Sequence, residues 1–211
     1  MRINPEKTLY RLTLACALAQ VALVLLSWLW SAAMPDSSVR SLLSSQGIRW
    51  FFGGFVGHEA SPALVWLVLG VLATGSLRSS GVVACGVRLL THRHASLTPL
   101  QKFAVRSALA LLLLELAVVA ALTLPPHAIL LSVTGLLFPS SFSVALVPIV
   151  AFVSVTVSMF YGLLAGTFHS LTDVCRGICS ESKALGPLLL FYLVVCQLCH
   201  SVLYVFALGV D

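Results

Sequence analysis

One glutamate, Glu115, is the residue best placed to do chemistry, because it lies in the middle of a long apolar run. The run covers about residues 103–124, and Glu115 is nine residues from both Arg106 and Leu124. At about 1.5 Å of rise per residue, its carboxyl lies roughly 13 Å from either end of such a helix, near the bilayer centre. An ionised carboxylate there costs a few kcal/mol. Two interpretations stay open: a proton or cation site, or a structural carboxyl that is protonated or hydrogen-bonded.

Two glutamines in other apolar runs extend this candidate site. Gln20 lies in the first run and Gln197 in the last. The candidate hydrogen-bonding partners of Glu115 are the hydroxyls and amides of other helices, such as these two and Ser158, since polar side chains in membrane helices bond across helix interfaces. We assign Glu115, Gln20 and Gln197 to a predicted substrate or ion path. For Gln20, a simple polar contact to a neighbouring helix is the other interpretation.

Cysteine and histidine patterns lead to no cofactor or metal assignment. Residues 196–200 read CQLCH, the pattern of covalent c-type haem attachment, but they lie inside an apolar run where helix packing explains them. Cys175 and Cys179 with His169, and the pair His92 and His94, are incomplete metal sets. There is no phosphate-binding glycine loop, no serine–histidine–acid set and no paired carboxylates. We therefore do not predict an enzyme.

The elements that must position these residues are membrane helices. Of the 211 residues, 59% are hydrophobic and only 9% are charged, whereas about a quarter are charged in a typical soluble domain. The formal net charge of +5 is carried between apolar runs, so it predicts solvated helix flanks and no nucleic-acid partner. We predict an all-α membrane protein with one polytopic domain, 1–211, and about five transmembrane helices. Their predicted bounds are about 9–34, 60–78, 103–124, 144–168 and 184–210.

Three segments between these helices are too polar or too short to span a bilayer. Residues 37–58 mix polar and aromatic side chains, which predicts an interfacial amphipathic segment with an aromatic anchor. Residues 82–90 predict a short amphipathic stretch that lies along the membrane surface or re-enters the membrane shallowly. Residues 127–143 contain no Lys or Arg, and predict a loop or a short hairpin dipping into the outer leaflet.

Small residues recur at every fourth position of the fourth helix: Ser154, Ser158, Gly162 and Gly166. On a helix this spacing forms one face along which a second backbone can approach closely. We predict that this face packs against another helix. The charges also predict an orientation, because ten of the twelve Lys and Arg fall on one side of the five-helix topology. The positive-inside rule then places the N-terminus in the cytoplasm and the C-terminus outside.

Two stretches of the chain resemble one family of membrane proteins. The first reads SLLS at 41–44 and GIRW at 47–50, after a first membrane helix. The second begins with LVPIVAF at 146–152 and continues through Tyr161-Gly162, Ala165-Gly166-Thr167, Asp173-Val174 and 180–183. Found in this order over about half of the chain, they resemble the p-aminobenzoyl-glutamate transporter family, AbgT.

This resemblance implies a fold, an activity and a location. It implies half of an inverted-repeat transporter fold, like a shortened N-terminal half, in a bacterial inner membrane. The implied activity is transport of p-aminobenzoyl-glutamate or a related amphiphilic organic acid, with Na⁺ or H⁺ as the coupling ion and no resident cofactor. Because five helices offer little wall for a transport path, it also implies a homo-oligomer or a subunit of a larger transporter. The alternative is a non-transporting half-transporter remnant that binds or regulates a full-length membrane partner.

Overall fold

The computed structural model describes residues 5–90, 98–123 and 141–207, and in these ranges the chain is helical with short turns and no strand. Its helices are α1 (Pro5–Ala33), α2 (Ser45–Gly53), α3 (Phe55–Glu59), α4 (Pro62–Ser80), α5 (Val82–Leu90), α6 (Pro99–Thr123), α7 (Ser141–Leu164), α8 (Leu171–Ile178) and α9 (Leu185–Val205), with a 3₁₀ helix at Cys179–Ala184. Five spans are long and apolar enough to cross a membrane. The prediction of an all-α protein with five such helices is confirmed.

The helices expose apolar side chains to an extent that only a lipid environment accommodates. In the most apolar window of α6, only 6% of the residues are buried inside the protein. Leucines such as Leu113 and Leu114 are more than half exposed. In water this surface would drive aggregation, whereas in a bilayer it is solvated by lipid tails.

The first of two compact units combines both ends of the described chain, 5–65 and 184–207. Its α1 packs along α9, and its buried core contains Leu42, Tyr204 and Val205. The connection after α1 is fixed by its backbone: the Leu42 amide donates to Ser27 Oγ at 3.3 Å, and the Arg40 amide donates to the Val205 carbonyl at 2.9 Å. The amphipathic segment predicted at 37–58 is therefore ordered as α2 and α3 of this unit.

The second unit covers residues 66–183, with most of α4 and all of α5 to α8. Its α6 and α7 pack side by side, around a core of Cys85, Ala104, Ala108 and Tyr161. The 3₁₀ helix is tied to α4 at two points. Ser180 Oγ donates to the Gly75 carbonyl at 3.1 Å, and Arg78 Nη1 pairs with Glu181 Oε1 at 3.0 Å.

Helix α7 ends four residues before the predicted position 168, because Gly166 reverses the chain. Gly166 has a φ of +73°, the left-handed region that glycine enters without steric cost. The Thr167 amide donates to the Gly162 carbonyl at 2.9 Å, and the Gly166 amide donates to the Leu163 carbonyl at 3.3 Å. These two bonds form a Schellman motif, which satisfies carbonyls at the helix end.

The other helix bounds lie within a few residues of the predicted ones. Helix α6 starts four residues earlier than predicted, and the described part of α9 ends at Val205. The predicted amphipathic stretch 82–90 coincides with α5, and its position at the membrane surface stays a prediction. The histidines of the 92–94 segment and the predicted hairpin up to residue 140 lie outside the described residues.

Candidate functional site

Glu115 faces α7 in the second unit, and its partner is Thr156. The Thr156 hydroxyl donates to Glu115 Oε1 at 2.6 Å. The other carboxyl oxygen, Oε2, is buried and has no hydrogen-bond partner among the described residues. Thr156 is a hydroxyl of another helix, as expected for the partner, although it is not one of the three residues named as examples. Thr156 could not be selected from the sequence, because a threonine in an apolar helix usually bonds its own backbone.

An apolar cleft of about 430 Å³ opens beside this carboxyl. Its walls come from α6 and α7, and Pro148 lies in the α7 wall. Glu115 is the one ionisable residue among those that line it. The cleft can therefore accept an apolar group, such as a lipid chain or the apolar part of an amphiphile. The described residues that line it offer no positive charge to an organic anion, so the chemistry of Glu115 itself suits a proton or a cation.

The two predicted glutamines lie in the first unit, whereas Glu115 belongs to the second. Gln20 Nε2 donates to Ser201 Oγ at 2.9 Å, which joins α1 to α9, and its Oε1 has no partner among the described residues. Gln197 is only 5% exposed, and neither of its amide atoms has a described partner. The three residues do not form one cluster within either unit. Their assignment to a substrate or ion path stays a prediction.

Sequence reasoning missed a polar cluster where α3 packs on α9 in the first unit. We call it the α3–α9 cluster; its members are His58, Glu59, Tyr192, Cys196, Gln197 and His200. The Tyr192 hydroxyl donates to the Glu59 carbonyl at 2.8 Å, and it also lies 2.8 Å from Ser61 Oγ. The Cys196 thiol donates to the His58 carbonyl at 3.2 Å. Side chains of α9 thus satisfy the last carbonyls of α3 and hold this five-residue helix in place.

Stacked rings connect this cluster to α2. The Trp50 ring lies 4.4 Å from that of Tyr204 and 4.3 Å from that of His58, measured between centroids. The His58 and His200 rings stack at 5.0 Å. The Arg40 guanidinium lies 5.9 Å from the centroid of the Tyr204 ring, within reach of a cation–π contact. The two imidazoles are therefore held in fixed orientations by aromatic packing.

The electrostatics of the cluster disfavour charge on α3. Glu59 is only 6% exposed, and neither carboxyl oxygen has a hydrogen-bond partner among the described residues. Burial raises the pKa of Glu59 above its ordinary value, and the adjacent Cys196 and His200 offset only part of this effect. Burial, together with the neighbouring His200, lowers the pKa of His58, and Gln197 offsets part of that shift. Both groups therefore favour their neutral forms.

A sequence signal for this cluster exists in α9. Side chains that hydrogen-bond or stack recur there every fourth residue: Tyr192, Cys196, His200 and Tyr204. That spacing places the four residues on one helix face. The prediction that CQLCH takes part in helix packing did not identify what this face contacts. Cys199, the other cysteine of that pattern, is exposed. Across the part of the chain that the structure describes, no group of three His, Cys, Asp or Glu is placed to hold a metal ion.

The four small residues predicted to form one packing face of α7 differ in their contacts. Ser158 is fully buried and its hydroxyl bonds to that of Ser76 on α4. Gly162 is buried against the Phe168 ring, which a Cβ at Gly162 would overlap. Ser154 donates to the Val150 carbonyl of its own helix at 2.7 Å, and Gly166 lies beyond the helix end. The packing role assigned to all four stays a prediction, and the two middle residues make buried contacts.

A model of the AbgT putative transporter family matches residues 88–208 of the chain. The match contains α6 to α9, with the stretch that begins at 146, and it excludes the stretch 41–50. It also contains Glu115 and Thr156, whereas His58 and Glu59 precede it. No curated protein and no solved structure matches the chain. Since the family match spans more than half of the residues, the chain belongs to the AbgT putative transporter family, a family of membrane transport proteins.

Proposed function

We propose that this protein transports p-aminobenzoyl-glutamate or a related amphiphilic organic acid, driven by a cation gradient. The observation that supports it most is the family match over 88–208, which covers the helices that carry Glu115 and its partner. Five membrane-spanning helices supply the multi-pass architecture that such a protein requires. We place it in a bacterial inner membrane with a cytoplasmic N-terminus, because ten of twelve Lys and Arg fall on that side.

Within this proposal, Glu115 binds the coupling ion, Na⁺ or H⁺. Its carboxyl has one described hydrogen bond, from Thr156, and one buried oxygen without a partner among the described residues. A carboxyl with unused acceptor capacity inside an apolar cleft can take up a proton or contribute one oxygen ligand to Na⁺. The apolar cleft beside it fits the apolar part of an amphiphile, and the acidic part of the substrate requires positive charge from elsewhere.

The proposal includes assembly into a homo-oligomer or a larger transporter. The membrane helices are mostly unburied within this chain, which leaves apolar faces for lipid or for a further protein. Alternating-access transporters place their sites between repeats that rock against each other. A second copy or a longer partner would supply the additional wall.

Uptake into vesicles that contain only this chain tests the function. The purified protein is reconstituted, and labelled p-aminobenzoyl-glutamate is followed with an imposed Na⁺ gradient, an imposed pH gradient, or neither. We expect uptake above that of empty vesicles under one of the two gradients. Uptake equal to that of empty vesicles under all conditions would contradict transport by this chain alone, and would favour the partner-binding alternative.

Glu115→Gln separates a coupling carboxyl from a structural one, because glutamine keeps the shape and the bond from Thr156 but cannot titrate. We expect gradient-driven uptake to be lost while the melting temperature stays within about 2 °C of the parent. Glu181→Gln is the control, since Glu181 lies in the partly exposed ion pair with Arg78. Unchanged uptake in Glu115→Gln would assign this carboxyl a structural role.

A further inference from the structure

The carboxyl of Glu59 is the least satisfied buried acid that the structure describes. It lies at the end of α3, ahead of α4, and is 6% exposed. Neither oxygen has a described hydrogen-bond partner, although an ionised carboxylate offers about four acceptor positions. A buried carboxylate without donors bears its full desolvation cost, which shifts the equilibrium toward the neutral acid.

No ion pair among the described residues involves this carboxyl, and His200 offsets only part of the effect of burial. The ion pairs among the described residues are Arg78–Glu181 and Arg176–Asp173, and neither involves Glu59. On α9, the thiol of Cys196 and the hydroxyl of Tyr192 are possible donors near this carboxyl. Each has one proton, and each donates it to a carbonyl of α3. The Tyr192 proton is therefore engaged at the Glu59 carbonyl, and Cys196 offsets only part of the effect of burial on the carboxyl.

The two imidazoles of the cluster are poor counter-ions for the same carboxyl. His58 and His200 stack at 5.0 Å between centroids, so a positive charge on one opposes a positive charge on the other. His58 Nδ1 is buried and has no described partner. His200 Nδ1 lies 3.0 Å from the carbonyl of Cys196, on its own helix. The geometry favours neutral rings beside a neutral acid.

We propose that Glu59 is a proton-binding site, occupied while α3 packs on α9. The bound proton is held as the carboxylic acid O–H, and release leaves a carboxylate that must reach water. Gln197 of α9 is also buried, and its amide has no partner among the described residues. The titratable groups facing the site are His58 on α3, and Tyr192, Cys196 and His200 on α9.

This proton site also bears on transport. If the proposed function holds, release and uptake of this proton on opposite sides of the membrane would make H⁺ the coupling ion. That step rests on the proposed function, whereas proton binding by Glu59 does not.

Infrared spectroscopy of the reconstituted full chain tests proton binding directly. The C=O stretch of a protonated carboxyl is separate from the bands of a carboxylate, so it reports the bound proton without any transport. We expect a protonated-carboxyl band in the parent at pH 7 that is lost in Glu59→Gln and retained in the control Glu181→Gln. The contribution of Glu115 is removed by recording every spectrum in a Glu115→Gln background.

Two results would overturn the proposal: no protonated-carboxyl band in that background at pH 7, or a band that persists in Glu59→Gln. If Glu59→Gln does not accumulate, Glu59→Asp keeps a carboxyl on a shorter side chain, and the band must then shift in frequency. An unshifted band would assign it to another acid. Absence of uptake by the parent would contradict the proposed transport and leave the infrared result standing.

Uptake by the parent and by Glu59→Gln is also measured, with an imposed pH gradient or an imposed Na⁺ gradient. If Glu59 carries the coupling proton, Glu59→Gln loses at least ten-fold in pH-driven uptake, and an imposed Na⁺ gradient drives none in the parent. Uptake driven only by Na⁺ would exclude H⁺ as the coupling ion.

Discussion

Thr156 decides the environment of Glu115, because it provides the one hydrogen bond that the described structure gives to this carboxyl. The hydroxyl also lies within 3.1 Å of the carbonyls of Phe152 and Val153 in its own helix. One hydroxyl proton cannot serve all these acceptors at full strength. Small shifts of α7 can therefore move it between the carboxyl and the backbone.

Thr156→Val removes this hydrogen bond while keeping a β-branched side chain of similar size. We expect the variant to be about 1 kcal/mol less stable, the magnitude of an interhelical hydrogen bond in a membrane. Thermal unfolding in detergent measures it, with Ser154→Ala as the matched control because the Ser154 hydroxyl bonds only within α7 in the described structure. A Thr156→Val variant that melts like the control would show that the carboxyl does not depend on this bond.

The raised pKa of Glu59 makes the stability of the folded chain depend on pH. Its pKa in the folded chain is raised above the ordinary value of 4.5, so above that pH the folded chain binds more protons than the unfolded chain. Stability therefore falls as the pH rises from about 4.5 through the folded pKa. Glu59→Gln removes this contribution.

We expect the melting temperature of Glu59→Gln to gain on that of the parent as the pH is raised from 4.5 to 8. Glu6→Gln, at an exposed position in α1, is the control and should follow the parent. A constant difference between Glu59→Gln and the parent over this range would show that Glu59 has the same pKa in both states.

At the scale of helices, apolar run length and glycine position explain which bounds were predictable. The uncharged runs predicted five membrane helices, since a run of about 20 apolar residues has no other stable environment. The end of α7 was missed because apolar character continues through Phe168, whereas the turn depends on the left-handed conformation of Gly166. Hydropathy carries no information about that conformation.

The α3–α9 cluster was missed because it depends on contacts between segments that are distant in the sequence. His58 lies at the end of the predicted interfacial segment 37–58, and no residue pattern around Glu59 predicts a buried carboxyl. Their burial results from the docking of α3 onto α9, more than 130 residues further along the chain. Only the polar face of α9, from Tyr192 to Tyr204, indicated in advance that a polar segment would pack there.

Gly162→Leu tests the contact between α7 and the segment after it. Because a Cβ at this position would overlap the Phe168 ring, we expect a loss of roughly 1–3 kcal/mol, typical of overpacking. Thermal unfolding and size-exclusion chromatography are the measurements. Gly70→Leu is the matched control, since a Cβ on Gly70 of α4 meets nothing within 4 Å.

If Gly162→Leu expresses, assembles and melts like Gly70→Leu, the Phe168 ring moves aside without cost. The contact between Gly162 and Phe168 would then contribute nothing measurable to stability.

For the whole molecule, the charge distribution predicts the orientation in the membrane. Ten of twelve Lys and Arg flank one set of helix ends, so a reporter fused after Asp211 should be external and one inserted at Arg93 cytoplasmic. Paired reporters, one active only in the cytoplasm and one only outside it, measure both positions. A cytoplasmic reporter after Asp211 would mean an even number of crossings. The short span at 62–80 would then be the first candidate for a helix that does not cross.

The chain order of the first unit has a consequence for biosynthesis. Gln20 in α1 bonds to Ser201 in α9, and these residues are 181 positions apart. At about 5–20 residues per second, roughly 10–40 s of synthesis separate them. During that interval α1 has left the ribosome while the helix that satisfies its amide does not exist. The nascent chain therefore presents an unpaired polar group to lipid or to the insertion machinery, and α1 reaches its native packing only after the last helix has been made.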